Sequence, residues 1–434
     1  MKVLVLSNEV WNDKINGNNV TSNWFEGMEA EFANIYASPE EPYNNCCNFY
    51  YQITDKMMLN SIFGKRKAGR KIDLMASKAS TSGETSSAEP EPKKLYAFLK
   101  SISGSFIRFS REILWLLGKY DLNSMKEFID KFNPDIIFSE RMATCKMLRL
   151  EKVVTTLTNV PIVAFTGDDE YSLCRLRISP FFWINRFMIR KRLREMVKKY
   201  SIYYTLSLEQ KQDYEKRFGC NMKLLQKCGD FSEVYVSRPV HSPIRMIYAG
   251  KFYCNRWKVL GQIADVLREI NKDDIKIVLN IYTRDKATNK QRSLLDDKKS
   301  SFIIGGVSQE DLKKIYQQSD IAIHVESCDL KYKLDTRLSF STKIVDCITS
   351  GCAILAYCWD KHSGLTYLKR EDAAICVSSR KELYAQLNRI VNNPNVVKEY
   401  SKKAYECGMR NHRRLDVQNM LMKDFASVIE GNAK

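Results

Sequence analysis

The stretch Ser339–Ala356, SFSTKIVDCITSGCAILA, decides how this chain is read. Ser341 or Thr342 is suited to the N-cap of a helix, where a hydroxyl accepts from a free backbone N–H. Ile344, Cys347 and Ile348 follow at i, i+3 and i+4, so they share one buried face. Lys343 and Asp346 are three apart and share another face. Gly351 fits the helix stop. The apolar run Ala353–Tyr357 after it has the composition of a strand buried on both faces. A helix that starts on Ser341–Lys343 and leads into such a strand offers free N–H groups, a dipole and a full positive charge to a phosphate. Asp346, one turn on, is placed to accept from ribose hydroxyls, as acids do in nucleotide-binding folds.

Outward from this stretch the chain alternates. Arg245–Gly250 reads as a strand, Trp257–Ile270 as a helix and Ile275–Tyr282 as a strand. A short strand Phe302–Ile304, a helix Glu310–Ser319 and a strand Ile321–Val325 follow. Such alternation requires a parallel sheet with right-handed crossovers. The first half opens the same way. Lys2–Ser7, KVLVLS, is a buried strand. A helix is expected from Thr21 or Ser22 with Trp24, Met28 and Phe32 on one face, then a strand Asn34–Ser38. Later strands are expected at Asp135–Glu140, Pro161–Gly167 and Ile202–Leu206, with a helix over Ala143–Leu157. The expectation is an α/β protein with two Rossmann-like, doubly wound domains. The first spans 1–240 and carries a mobile loop near 64–94, rich in Ser, Lys, Glu and Pro. The boundary falls at PVHSP, Pro239–Pro243; the second domain spans 241–396, and helices over 397–434 are expected to cross back.

Composition narrows the function. The formal charge of +18 favours polyanionic partners such as phosphorylated substrates or anionic lipid headgroups. The thirteen Cys include no C-x-x-C pair, so no zinc ribbon or redox dithiol is expected, and an odd, unframed set fits a reducing cytosol. No run is apolar for long enough to span a membrane. No G-x-G-x-x-G follows Lys2–Ser7 and no G-x-x-x-x-G-K-[ST] occurs, which disfavours NAD domains and P-loop NTPases. The four His all lie at His241 or beyond, so the first domain has no imidazole base; Asp168 and Asp169, after a strand end, are the carboxylates best placed for that role. Helices over Leu95–Leu117 and Phe181–Lys199 mix aromatic residues with Lys and Arg, which suits an anionic membrane surface.

The ordered set YAGKFYCNRWK (Tyr248–Lys258), GGVSQEDLKKIYQQSDIAIHVES (Gly305–Ser327) and SFSTKIVDCITSGCAILA resembles the second domain of GT-B glycosyltransferases, especially the retaining enzymes of surface-polysaccharide assembly. The resemblance implies two domains facing across a cleft and a nucleoside-diphosphate sugar donor. It implies a carbohydrate or polyprenyl-linked acceptor, no metal or other cofactor, and a cytoplasmic protein at the inner face of the membrane. No specific nucleic acid is expected. Carried over, it makes Lys251, Arg256 and Lys258 candidates for the donor diphosphate, with Ser341, Thr342 and Lys343 beside them. Asp346 becomes the ribose acid and Glu326 the acid near the donor sugar. Gly17, in NGNN, is a close-approach glycine, and Asp168 the acceptor-side carboxylate. One departure stands out. The family's pair of glutamates lies eight positions apart, but Leu338 stands eight before Asp346, and Glu326 is twenty before it with the insert CDLKYKLDTR between. A sugar-nucleotide 2-epimerase on the same architecture and a non-enzymatic polyanion-binding protein are the competing readings.

Overall fold

The computed structural model describes residues 1–15, 20–64, 66–73, 104–142 and 144–432. Gly17, most of the 64–94 stretch and the start of the Leu95–Leu117 helix lie outside the described residues.

Two sheets organise the chain. The first contains β1 (Lys2–Ser7), β2 (Glu31–Tyr36), β3 (Cys47–Gln52), β4 (Arg70–Asp73), β5 (Ile136–Arg141), β6 (Ile162–Thr166), β7 (Tyr200–Thr205) and β8 (Met222–Leu224). Its order is β4-β3-β2-β1-β5-β6-β7-β8, parallel throughout except for the antiparallel edge strand β4. The second contains β9 (Ile244–Ala249), β10 (Ile277–Tyr282), β11 (Ser301–Gly305), β12 (Ile321–Val325), β13 (Ala353–Tyr357) and β14 (Ile375–Val377), in the order β11-β10-β9-β12-β13-β14, all parallel. Both are doubly wound. Val3–Leu6 and Ala353–Tyr357 are almost wholly buried, as strands covered on both faces must be.

The helix expected to run through Met28 and Phe32 is shorter. It spans Val20–Phe25, and Gly27 at φ 83° turns the chain so that Phe32 enters β2. Part of the expected mobile loop is ordered, since Arg70–Asp73 pairs with β3. The helices Gly104–Leu117 and Pro180–Met196 lie against each other, with Phe106 and Phe181 edge to face at 5.1 Å. No described helix is long and apolar enough to cross a membrane.

The last two helices divide their loyalties. Asn395–Asn411 packs on β13 and on the helix Lys343–Thr349 of the second lobe. Arg414–Asn432 returns to the first lobe, where Phe425 is fully buried against Phe138 and Tyr204 donates to Asp424 Oδ2 at 2.9 Å. The turn between them is pinned by His412, whose ring bonds Tyr367 Oη at 2.7 Å and meets the Lys227 carbonyl at 3.1 Å.

Candidate functional site

In a doubly wound sheet the strand order reverses at one point, and the loops beyond that point splay apart to leave a crevice. In the first sheet the reversal is at β1, flanked by β2 and β5; in the second it is at β9, flanked by β10 and β12. A cavity of about 760 Å³ lies between the two reversal points. Ser7, Glu9, Asp13, Lys14 and Glu140 line it from the first lobe. Gly250, Lys251, Arg284, Lys343 and Asp346 line it from the second. The size is that of a pocket for a small molecule, and on the second lobe's wall Lys251, Arg284 and Lys343 against one carboxylate, Asp346, suit that side to an anionic group.

Lys343 opens the helix Lys343–Thr349, which Thr342 precedes without a side-chain cap. Ile344, Val345, Cys347 and Ile348 are buried, so the remaining face of the helix holds Lys343 and Asp346 at the cavity. Gly351, at φ 71°, ends this segment in the left-handed region. The Lys343 ammonium lies 5.8 Å from the centre of the Tyr248 ring and has no ion-pair partner among the described residues. Burial, and next the neighbouring Arg256 guanidinium, bring its pKa down to about 8. Gly250 makes room for it, because a Cβ there would collide with Lys343 Nζ. Gly250→Ala is therefore expected to swing the ammonium away and raise the KM for an anionic ligand about tenfold, with the fold intact. Steady-state kinetics beside a melting curve measures both.

Behind Lys343 is a recess of about 10 Å³ lined by Arg256, His324, Glu326 and Ser341. Arg256 and Glu326 form a two-pronged ion pair there, Nε to Oε2 at 3.0 Å and Nη2 to Oε1 at 2.5 Å. Glu326 is buried and Arg256 largely so. Burial alone would raise the Glu326 carboxyl, but neighbouring positive charge, the Arg256 guanidinium foremost, reverses this and holds it below the usual carboxylate range. Arg256 is presented by an unusual turn: Cys254 and Asn255 are both left-handed, at φ 57° and 60°, immediately before the helix Arg256–Ile270. Neither is glycine, so the turn stores backbone strain beside the site.

The structure thus brings Lys251, Lys343 and Asp346 to the cavity, and places Arg256, Glu326 and Ser341 just behind it. Asp346 is ion-paired with Lys227. Lys258 is not at the cavity; it turns outward to Asp329 at 2.8 Å. Thr342 lines neither space. Asp168 does not line the cavity either: it follows β6, one strand beyond β5, and accepts from Ser339 Oγ at 2.9 Å in the seam between lobes. Asp169 is buried, held by Arg175 and Arg186 at 3.8 Å each. The insert folds as a helix, Leu330–Thr336, clasped by the first lobe: Arg175 donates to the Leu334 carbonyl at 2.9 Å, and Arg177 pairs with Asp335 at 2.6 Å.

Sequence reasoning missed Glu140 and Arg284. Glu140 lies at the end of β5, accepts from Thr21 Oγ1 at 2.7 Å, and has a pKa raised by burial. Arg284 follows β10. Each sits at the carboxyl end of a strand beside the reversal, a signal that becomes readable once strand order is known.

No protein-family profile and no curated protein sequence matches the chain. Solved structures do. Sucrose-phosphate synthase from Thermosynechococcus elongatus is similar over 99% of this chain and 100% of its own, with TM-score 0.61 and 10% identity. Anabaena HepE in complex with UDP is similar over 98% and 100%, with TM-score 0.60 and 10% identity. Trehalose-6-phosphate synthase from E. coli bound with UDP-2-fluoro glucose is similar over 98% and 99%, with TM-score 0.59 and 8% identity. Two doubly wound lobes facing across a cleft, matched over nearly the whole chain, give this protein the GT-B fold that these glycosyltransferase structures share.

Proposed function

We propose that the chain is a glycosyltransferase that moves a sugar from a nucleoside-diphosphate sugar to a carbohydrate or polyprenyl-linked acceptor. The observation that carries this reading is Lys343, a half-buried ammonium on the wall of the interlobe cavity, without an ion-pair partner among the described residues. A buried cation is costly to hold unless something anionic uses it. A diphosphate does so twice: it is bound in the ground state, and it gains charge as the sugar–oxygen bond breaks. Fixed cations stabilise that added charge without reorganising. Lys251 and Arg284 stand on the same wall, Asp346 is within the cavity to accept from a ribose, and Glu326 with Arg256 backs the site. That structures of the same fold hold UDP or UDP-2-fluoro glucose supports the choice of donor class.

Transfer with retention is the reading we favour, since it relies on leaving-group stabilisation and needs no separate base or metal. Inversion has one observation in its favour. Glu140, on the opposite wall, has a pKa raised by burial, as suits a carboxyl that accepts a proton from an acceptor hydroxyl. The anomeric configuration of the product, read by NMR, separates the two. A lipid-linked acceptor in surface glycoconjugate assembly, met at the inner face of a membrane, is supported by Leu176, Ile178, Ile184 and Phe187. These stand exposed beside the basic helix Pro180–Met196.

The reading is tested by melting the protein with UDP- and GDP-sugars. One nucleotide series is expected to raise Tm by several degrees through mass action, and donor supplied without acceptor is expected to stay unepimerised. Absence of a shift with every nucleotide overturns the reading, and formation of an epimer replaces it with an isomerase.

A further inference from the structure

We propose that His324, Cys358 and His362 form a buried binding site for one divalent transition-metal ion, zinc by its ligand set, in the second lobe. The three side chains come from adjacent carboxyl-end positions. His324 is in β12, Cys358 directly follows its parallel partner β13, and His362 caps the helix Ser363–Arg370 that leaves that loop. Their ligand atoms all lie within 4.8 Å of one another. All three residues are buried, at 3%, 0% and 1% exposure.

Burial of this kind needs a reason. A polar nitrogen inside a protein is nearly always paired, yet His324 Nε2 is buried and has no hydrogen-bond partner among the described residues. At His362, Nδ1 accepts from the Gly364 N–H at 3.1 Å. An arriving ion competes with that one contact and with nothing at His324 Nε2. Two imidazoles and a thiol are the ligands of borderline and soft cations, whereas magnesium and calcium select oxygen. Metal binding takes neutral imidazoles and a thiolate, so the ion takes the place of the Cys358 proton, which passes to solvent. His324 lies two residues before Glu326, so the ion would stiffen the strand end that carries the Arg256–Glu326 pair.

The full chain, stripped with a chelator and dialysed, is titrated with Co²⁺. One saturating equivalent is expected, with a thiolate-to-cobalt charge-transfer band in the near ultraviolet that Zn²⁺ abolishes. Cys358→Ser is expected to lose the band, and His324→Gln to weaken Co²⁺ binding more than about tenfold. Cys376→Ser, which changes a cysteine outside the cluster, is expected to keep both. Circular dichroism establishes that each variant is folded, and His324→Gln carries the test if Cys358→Ser does not fold. Failure of the folded wild type to bind one equivalent overturns the proposal, and so does a band that survives in folded Cys358→Ser. The readout involves no nucleotide, so it stands or falls separately from the sugar-transfer reading.

Discussion

Lys343→Met is expected to reduce sugar transfer by about 10²–10³-fold in kcat while the protein itself becomes harder to melt. The two effects have one cause. The ammonium is held against its own solvation, with its pKa brought from 10.5 to about 8 by burial and by Arg256. Below pH 8 the lysine is charged in both folded and unfolded chains, and the folded state bears the full penalty. Between pH 8 and 10.5 the folded protein releases the proton first, so this group's contribution to stability rises with pH. Methionine keeps the bulk and removes the charge, so the variant's Tm should exceed that of the wild type at pH 7 and lose this part of its pH dependence. Donor binding should run the other way. As the wild type passes pH 8 its ammonium is lost and the donor KM climbs, whereas the variant's KM is high and flat. A variant that melts lower and turns over normally would remove Lys343 from the donor site.

Breaking the Arg256–Glu326 pair should be the most destabilising single change in the second lobe. Glu326→Ala strands a buried guanidinium, and removal of one partner of a buried ion pair costs about 3–5 kcal/mol. Urea unfolding measures it. The double variant Arg256→Met/Glu326→Leu should recover most of the loss, because two apolar side chains leave no orphaned charge. Acid provides an independent reading. The Glu326 carboxyl is held below its ordinary value of 4.5, so its contribution is complete above that pH and is lost as pH falls through the folded value. Glu326→Ala should flatten this limb of the acid titration. A single variant as stable as the double one would show that the pair does not hold the second lobe together.

Much of this architecture is legible in the residues, and the reason is local. Lys2–Ser7, Ile321–Val325 and Ala353–Tyr357 are buried on both faces, so they read as unbroken apolar runs without any knowledge of their neighbours. Four strands hide for equally local reasons. CNFYYQ at β3 has Asn48 and Phe49 exposed, RKID at β4 is a polar edge strand, and MKL at β8 and ICV at β14 are too short to show a period. The site is legible only in part. Lys343 and Asp346 share a face because helical spacing says so. Glu140 is at the crevice and Asp168 is not, although both stand at the carboxyl ends of strands in the same lobe. What separates them is which strand lies beside β1, and that is fixed by pairing between residues more than a hundred positions apart.

The return of Arg414–Asn432 to the first lobe has a consequence for how the chain is made. The first sheet is complete at Leu224, but its core is not, because Phe425 belongs to it. On a ribosome adding about 5–20 residues per second, the remaining stretch of about 200 residues takes roughly 10–40 s to appear. Through that interval Phe138 and Trp24 lack the helix that covers them, and the first lobe exists with an apolar face open to water. Birth order therefore runs against the usual sequence in which an early domain closes before a later one is begun: here the first lobe is closed by a helix that follows the whole second sheet.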